Sequence, residues 1–429
     1  MKVVVIGVGY VGIHLVNIFQ KKYRVIGYDC DINKISALND GIDRSGELSK
    51  KEIDNLNNVI FTGEISDICG ADVYIVCVPT PIDVNNKPDL TALKEAMITV
   101  GKVLKHENTV VIESTISPGT TENICIPILE EYSNLHKGVD FHVGFSPERI
   151  NPGDKMHLPE KCEKIVSGLD DESLKIIFDI YSSVWEGPIF RAASIRVAEA
   201  AKLLENIQRD VNIALINEIN LLFRDINIDI YDVIKAASGK WNYMPFYPGL
   251  VGGHCIGVDP YYLIDLAQKQ NINLSIVESA RTINEYIPEM IAEELLRLFR
   301  SRTPNLKVGI LGITFKENCS DTRNSKVVKI VEKLKNAGCE VDVSDPIANL
   351  ENVKKEYGIE LTDWRDWNDI NMLVLAVSHN YYQDELIEQI AMKLVRHNGE
   401  KPVLADVKGV VSKEVAGDLS KRGIFYWRY

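Results

Sequence analysis

The sequence predicts an α/β protein built from two doubly wound, Rossmann-like domains joined by a long central helix. Three observations carry that reading. A β-branched run at residues 2–6 leads directly into a glycine-rich turn, a helical pattern and a second strand. Residues 194–223 contain neither proline nor glycine and read as one helix, long enough to pass from one domain to another. From residue 305 a fresh alternation of strand and helix begins. The expected domain boundaries are 1–193, 194–300 and 301–429.

Size and composition set the outer limits. The chain has 429 residues, enough for two or three domains, with 45% hydrophobic and 25% charged residues, as in ordinary globular proteins. Its formal net charge is −13 and lysine and arginine form no long runs, so neither nucleic acid nor a membrane surface is an expected partner. An anionic ligand would have to be held by a local cluster of cations and backbone N–H groups. The eight cysteines are scattered and form no C-x-x-C pair, so no disulfide framework and no metal site is expected, and a reducing, cytoplasmic setting is. The apolar stretch 3–13 is broken by Gly7, Gly9 and Gly12 and lacks a cleavage-like site, so it is structure rather than a targeting signal. No apolar run reaches the length of a membrane span.

In the first domain, Gly7-Val8-Gly9-Tyr10-Val11-Gly12 follows the opening strand, a helix runs to about residue 19, and a strand at 23–28 ends at Asp29. A G-x-G-x-x-G pattern alone is weak, but between strand and helix, with an acid at the end of the next strand, it marks a dinucleotide site. Gly7 allows the tight turn, Gly9 lets a pyrophosphate approach, and Gly12 lets helix and strand pack closely. The helix N-terminus offers N–H groups and partial positive charge to the phosphates. Asp29 would take the ribose hydroxyls and repel a 2′-phosphate, which favours NAD over NADP. Further strands at 73–78, 109–113 and 141–145 end at Thr80, Thr115 and Glu148, where a doubly wound sheet binds its ligand.

On the long helix, Lys202 and Asn206 share one face and Glu199 lies on the same side. Lysine and glutamate on a helix are ordinarily solvated, whereas Asn206 is a mild helix-propensity loss with no local gain. Residues 240–247 are aromatic and aperiodic, as in a loop lining a pocket. Residues 248–263 then bring Gly252, Gly253, His254 and Cys255 together, with Asp259 four places on. A thiol beside two glycines is either a nucleophile open to a bound molecule or a buried cysteine in a tight turn.

The last third expects a strand and turn at 305–314, a polar loop at 315–325, a helix to about 337, and strands at 339–344, 372–377 and 403–407. Gly309 and Gly312 do not complete a G-x-G-x-x-G, so a nucleotide here would bind differently. Lys316 and Arg323 offer positive charge to phosphate or simply face solvent.

Taken together, these motifs resemble the nucleotide-sugar 6-dehydrogenases of the UDP-glucose/GDP-mannose dehydrogenase family over nearly the whole chain. The carriers are the glycine turn, Ser146-Pro147-Glu148, Lys202 with Asn206, Gly252-Gly253-His254-Cys255 with Asp259, and Phe315-Lys316 with Asp321-Thr322-Arg323. The resemblance implies a four-electron oxidation of a sugar C6 alcohol to a carboxylate with two NAD⁺ in turn. Cys255 would form a thiohemiacetal and then a thioester, and Lys202 and Asn206 would steady the oxyanion. Asp259 would orient water or Lys202, while Glu148 and Thr115 would serve thioester hydrolysis. Cofactor binding is expected from Gly7, Gly9, Tyr10, Val11, Gly12, Asp29, Lys34, Thr80, Thr115 and Arg323. Substrate binding is expected from Glu148, Arg149, Lys202, Asn206, Tyr247, Gly252 and Lys316.

One departure narrows the substrate. UDP-glucose enzymes of the family usually carry a second glutamate where this chain has Pro152. The Glu-Arg-Ile-Asn-Pro-Gly form, with residues 240–242 and 259–263, is similar to the branch acting on UDP-N-acetylglucosamine or UDP-N-acetylgalactosamine for surface polysaccharides. The alternatives are UDP-glucose or UDP-N-acetylmannosamine, a two-electron dehydrogenase with no need of Cys255, and a non-catalytic NAD-sensing Rossmann protein. Family members pair through the long helix, which implies a homodimer. The covalent route further requires the Cys255 sulfur, the Lys202 ammonium and the nicotinamide to act on one carbon.

Overall fold

The computed structural model describes residues 1–150, 158–299 and 306–429. The chain forms two compact units, Met1–Asn206 with Tyr261–Asn273, and Ile207–Pro260 with Leu274–Tyr429. It passes from the first to the second within a single helix, Ile195–Asp225.

The first unit holds strands β1 (Lys2–Ile6), β2 (Arg24–Tyr28), β3 (Val59–Thr62), β4 (Val73–Val76), β5 (Asn108–Ile112), β6 (Phe141–Phe145), β7 (Lys164–Gly168) and β8 (Ile189–Arg191). They form one sheet in the order β3-β2-β1-β4-β5-β6-β7-β8. Pairing is parallel from β3 through β6, and β7 runs antiparallel to β6. The strands are apolar on both faces because helices cover both: Val4 and Ile6 enter one core, Val3 and Val5 the other. The chain reverses direction across the sheet at β1 and β4, which sets the ligand-binding end at their carboxyl termini.

The second unit holds β9 (Lys307–Leu311), β10 (Glu340–Ser344), β11 (Met372–Leu375), β12 (Val403–Asp406) and β13 (Phe425–Arg428), in the parallel order β10-β9-β11-β12-β13. This is the second doubly wound sheet, with its own core around Val308, Ile310 and Val374. The strand expected from residue 305 begins at Lys307, and Asn305 itself lies outside the described residues. Strands β3, β7, β8 and β13 had no clear sequence signal. β3 is half exposed, β7 opens on a lysine, β8 has three residues, and β13 is aromatic without alternation.

Helices Ile195–Asp225 and Ser275–Arg297 are locked together in the second unit by a buried polar cluster. Arg281 Nη1 donates to Asp210 Oδ1 at 2.7 Å, and Asn284 Nδ2 donates to the same oxygen at 2.7 Å. Among the described residues no helix is long and apolar enough to cross a membrane.

The Arg281 side chain is 2% exposed and that of Asp210 0%, so removing one partner strands the other charge out of water. Arg281→Met is therefore expected to destabilise the fold by about 3–5 kcal/mol. A urea midpoint equal to that of the wild type would refute this account of the helix pair.

Candidate functional site

At the carboxyl ends of β1 and β2 the glycine turn is shaped by contacts that exclude side chains. Gly7 has φ +91°, and a Cβ there would stand 2.9 Å from the Cys77 carbonyl oxygen. A Cβ on Gly12 would stand 1.9 Å from the Gly7 oxygen. Among the described residues a Cβ on Gly9 would meet nothing within 4 Å, so they leave that position open. Gly9 is the N-cap of the helix Tyr10–Phe19 and adds no side-chain hydrogen bond there, and a helix N-terminus of this kind directs backbone N–H groups and partial positive charge toward an anionic ligand. Asp29 closes β2 and ties the turn: its Oδ2 accepts from the Val8 N–H at 3.0 Å and from Lys34 Nζ at 2.7 Å, and its Oδ1 from the Asp31 N–H at 3.0 Å. Thr80 and Thr115 meet directly, with Thr80 Oγ1 donating to the Thr115 carbonyl at 2.7 Å. Tyr262 supports this wall, its hydroxyl donating to the Thr80 carbonyl at 2.7 Å.

Beside this wall lies a row of buried charges. Glu148, just past β6, is 4% exposed, and Lys202 on the long helix is 6% exposed. Lys202 Nζ donates to Glu148 Oε1 at 2.6 Å, and the Ile150 N–H donates to Glu148 Oε2 at 2.8 Å. Burial pushes the Glu148 carboxyl up, but Lys202, the Ile150 N–H and Lys164 reverse this and hold it below the ordinary carboxylate range. The expectation of a solvated helix face therefore fails for both Lys202 and Glu199. Glu199 is buried, accepting from the Gly119 N–H at 2.5 Å and the Thr121 N–H at 2.9 Å, so it anchors the loop after Thr115. Asn206 is half-buried one turn beyond Lys202. Arg149 is committed to Glu205 by an ion pair and to the Glu163 carbonyl at 2.9 Å.

In the second unit two distant stretches fold onto one another. Gly253 has φ +80°, and a Cβ there would press to 2.7 Å from the Phe315 ring. A Cβ on Gly252 would stand 2.7 Å from the Asn324 oxygen. Asn324 Nδ2 donates to the Gly253 carbonyl at 2.9 Å, clamping the cysteine turn to the loop that carries Lys316 and Arg323. Cys255 is partly exposed, and its carbonyl accepts from the N–H of buried Asp259 at 2.8 Å as the helix Asp259–Lys269 begins. His254 lies 3.4 Å from Asp321 Oδ2. Burial pulls its imidazole down, but hydrogen bonds to Asp321 and Cys255 overcome that and raise it to about 9, so an imidazolium stands beside the thiol at neutral pH. Arg323 pairs with Asp321, with Nε donating at 3.0 Å, and Lys316 Nζ lies 5.7 Å from the Phe315 ring centre. Tyr247 is exposed and stacks on Tyr231 with ring centres 6.1 Å apart.

Family models place these features. The NAD-binding domain of the UDP-glucose/GDP-mannose dehydrogenase family matches residues 1–185, its central domain 196–286, and its UDP-binding domain 309–413. The chain belongs to the UDP-glucose/GDP-mannose dehydrogenase family. It is similar to protein CapL of Staphylococcus aureus, 43% identical over 96% of each chain. It is also 43% identical to the UDP-N-acetyl-D-glucosamine 6-dehydrogenase of Pseudomonas aeruginosa, over 91% of this chain and 93% of that one. Among solved structures, the UDP-D-ManNAc dehydrogenase of Pyrococcus horikoshii superposes with a TM-score of 0.88 at 30% identity, covering 100% of this chain and 99% of that one.

As a member of this family the protein is an NAD-dependent nucleotide-sugar dehydrogenase. Its first unit fits the cofactor on its own geometry, with an open Gly9, a helix N-terminus that follows it directly and an acid at the end of β2. The structure brings Glu148 to Lys202 and Thr80 to Thr115 in the first unit, and gathers Gly252, Cys255, Lys316 and Arg323 onto two joined loops in the second. Pro152, on which the substrate reading turns, lies outside the described residues. Sequence reasoning missed Glu113, Lys164, His254 and Asp321. The signal for Lys164 was a charge heading the apolar run Ile165-Val166, and for His254 and Asp321 it was their place inside motifs already singled out.

The two glycines of the turn make separable predictions. Gly12→Ala is expected to destabilise the fold by about 1–3 kcal/mol through the clash with Gly7. Gly9→Ala is expected to leave the melting temperature unchanged and to weaken NAD binding at least tenfold, as measured by calorimetric titration. NAD binding by Gly9→Ala at wild-type strength would mean that the pyrophosphate does not approach there.

Proposed function

We propose that the protein oxidises the C6 hydroxyl of a UDP-N-acetylhexosamine, UDP-GlcNAc or UDP-GalNAc, to the carboxylate through a covalent adduct on Cys255. The observation that carries this is the partly exposed Cys255 on a turn whose glycines let it pack closely against the loop bearing Lys316 and Arg323. Pro152 in place of a glutamate, and the 43% identity to a relative named for UDP-N-acetyl-D-glucosamine, support the N-acetylated sugar.

Bound NAD supplies the hydride acceptor for both oxidations, held by the glycine turn, Asp29 with Lys34, Thr80 and Thr115. The overall balance is R–CH₂OH + 2 NAD⁺ + H₂O → R–COO⁻ + 2 NADH + 3 H⁺. Lys202, with Asn206 on the same face, steadies the oxygen as negative charge develops on it; one such donor is worth about 3 kcal/mol. The Cys255 sulfur adds to the aldehyde carbon, which keeps the aldehyde from escaping and converts it to a thiohemiacetal. Loss of the second hydride from that carbon leaves a thioester. Glu148, held anionic, takes a proton from the water that cleaves the thioester, with Thr115 and Asp259 orienting that water. Lys316 and Arg323 hold the phosphates, and Arg149, Tyr247 and Gly252 border the sugar and nucleotide.

A second substrate reading, UDP-N-acetylmannosamine, is favoured by the likeness to the Pyrococcus horikoshii structure. Measuring NADH formed per sugar consumed across UDP-GlcNAc, UDP-GalNAc, UDP-ManNAc and UDP-glucose separates them, and a clear preference for either of the last two would overturn the proposal. With the preferred sugar, Cys255→Ser is expected to lose at least a thousandfold in kcat for carboxylate formation. Two NADH per sugar at an undiminished rate in that variant would rule out the thioester.

The expected homodimer has a physical basis in the long helix. Val197, Leu204, Leu215 and Leu222 are 47%, 66%, 49% and 59% exposed. Their spacings of 7 and 11 residues are close to whole helical turns, so they form one apolar stripe facing solvent. The pair Leu204→Glu with Leu215→Glu is expected to give a monomer by sedimentation velocity; a wild-type monomer would end the dimer proposal.

A further inference from the structure

We propose that Glu113 and Lys164 are positioning residues for the reaction, a buried ion pair that places Glu148 and keeps it ready to accept a proton. The proposal rests on the reading in which Glu148 and Lys202 act on the substrate.

The geometry is a row of alternating charges drawn from four elements. Glu113 follows β5, Glu148 follows β6, Lys164 opens β7, and Lys202 comes from the long helix; they are 1%, 4%, 1% and 6% exposed. Lys164 Nζ donates to Glu113 Oε2 at 2.7 Å and to the Pro147 carbonyl at 3.1 Å. That carbonyl belongs to the peptide bond leading into Glu148, so the lysine fixes the backbone from which the acidic side chain hangs. The far side of Glu113 is closed by the Tyr181 hydroxyl, which donates to Oε1. Lys164 Nζ also lies 5.3 Å from the Tyr181 ring centre and 5.2 Å from that of Trp185, so its surroundings are filled with protein.

An ion pair in such a place is a poor way to gain stability, because two apolar side chains of similar volume would serve as well or better. Its charge does have a use. Glu148 is drawn down by Lys202 and also by Lys164, while Glu113 bears on it in the opposite sense. Among the described residues, the other titratable groups that bear on the pair are Tyr181, from the helix Asp171–Ser182, and Cys77, just past β4. With Lys164 uncharged, burial of Glu148 is opposed by less positive charge and its carboxyl moves up. A protonated Glu148 cannot take a proton from the hydrolytic water, so the acidic limb of the rate profile should move to higher pH.

The test uses full-length protein with Glu113→Gln and Lys164→Met together, so that neither buried charge is left alone. Lys164→Gln, which removes the charge but retains a donor for Pro147, is the second variant. Lys164→Arg is the conservative rescue. The expected result is a severalfold loss of kcat at pH 6, an acidic limb moved to higher pH, and a KM for the UDP-sugar within about threefold of wild type, with the arginine variant returning the limb. Superimposable pH profiles in Lys164→Gln and the wild type, whether or not the melting temperature falls, would overturn the proposal and leave a structural role only. If the wild type forms no NADH with any UDP-sugar, the functional reading fails instead. The ¹³C titration of the Glu148 carboxyl in labelled protein then decides the inference by itself: an upward move in the charge-free variants supports it, and no move refutes it.

Discussion

A carboxylate taken out of water and kept ionised is the constraint around which the first unit is arranged. Glu148 remains anionic at 4% exposure because Lys202 and the Ile150 N–H satisfy its oxygens and Lys164 adds positive charge nearby. That requirement reaches outward. The long helix must present Lys202 at one height along its axis, and β6 must end where the side chain can turn toward it. Glu199, one turn earlier on the same helix, is spent on two backbone N–H groups of the loop after Thr115. One helix thus sets the ionised pair and the wall beside it.

The second unit meets a different constraint, the close approach of two backbones. The turn before Cys255 and the loop after β9 pack so tightly that the Phe315 ring occupies the space of a Cβ on Gly253, and Asn324 O that of a Cβ on Gly252. A positive φ at Gly253 adds a conformational reason for glycine where the steric one already suffices. The outcome is a partly exposed thiol with His254 and Asp321 beside it, so the electrostatics around Cys255 depend on a residue almost seventy positions away in sequence.

Legibility followed the range of the interaction involved. The glycine turn could be read from the sequence because strand, turn, helix and acid lie within thirty residues and each residue type answers a local steric or dipolar need. The cysteine stretch taken alone was ambiguous, since a buried thiol in a glycine-rich turn has the same local pattern, and only the family resemblance made it a candidate site. Lys202 and Glu199 carried a misleading signal: charged residues on a helix are solvated in most surroundings, and both are buried here by elements far off in the chain. Lys164 carried only a weak signal because a strand that opens on a lysine resembles an edge strand, whereas β7 lies inside the sheet between β6 and β8.

The amino-acid sequence by itself determined the two doubly wound sheets, the dinucleotide turn and the family, because periodicity, glycine spacing and helix length are properties of short stretches of chain. Tertiary structure alone decided which charges are buried, which of them are paired, and which loops clamp the cysteine turn. The physical reason is that desolvation and Coulomb energy depend on what surrounds a group in space. No local pattern states which strand end a lysine will meet once four separate elements have packed around it.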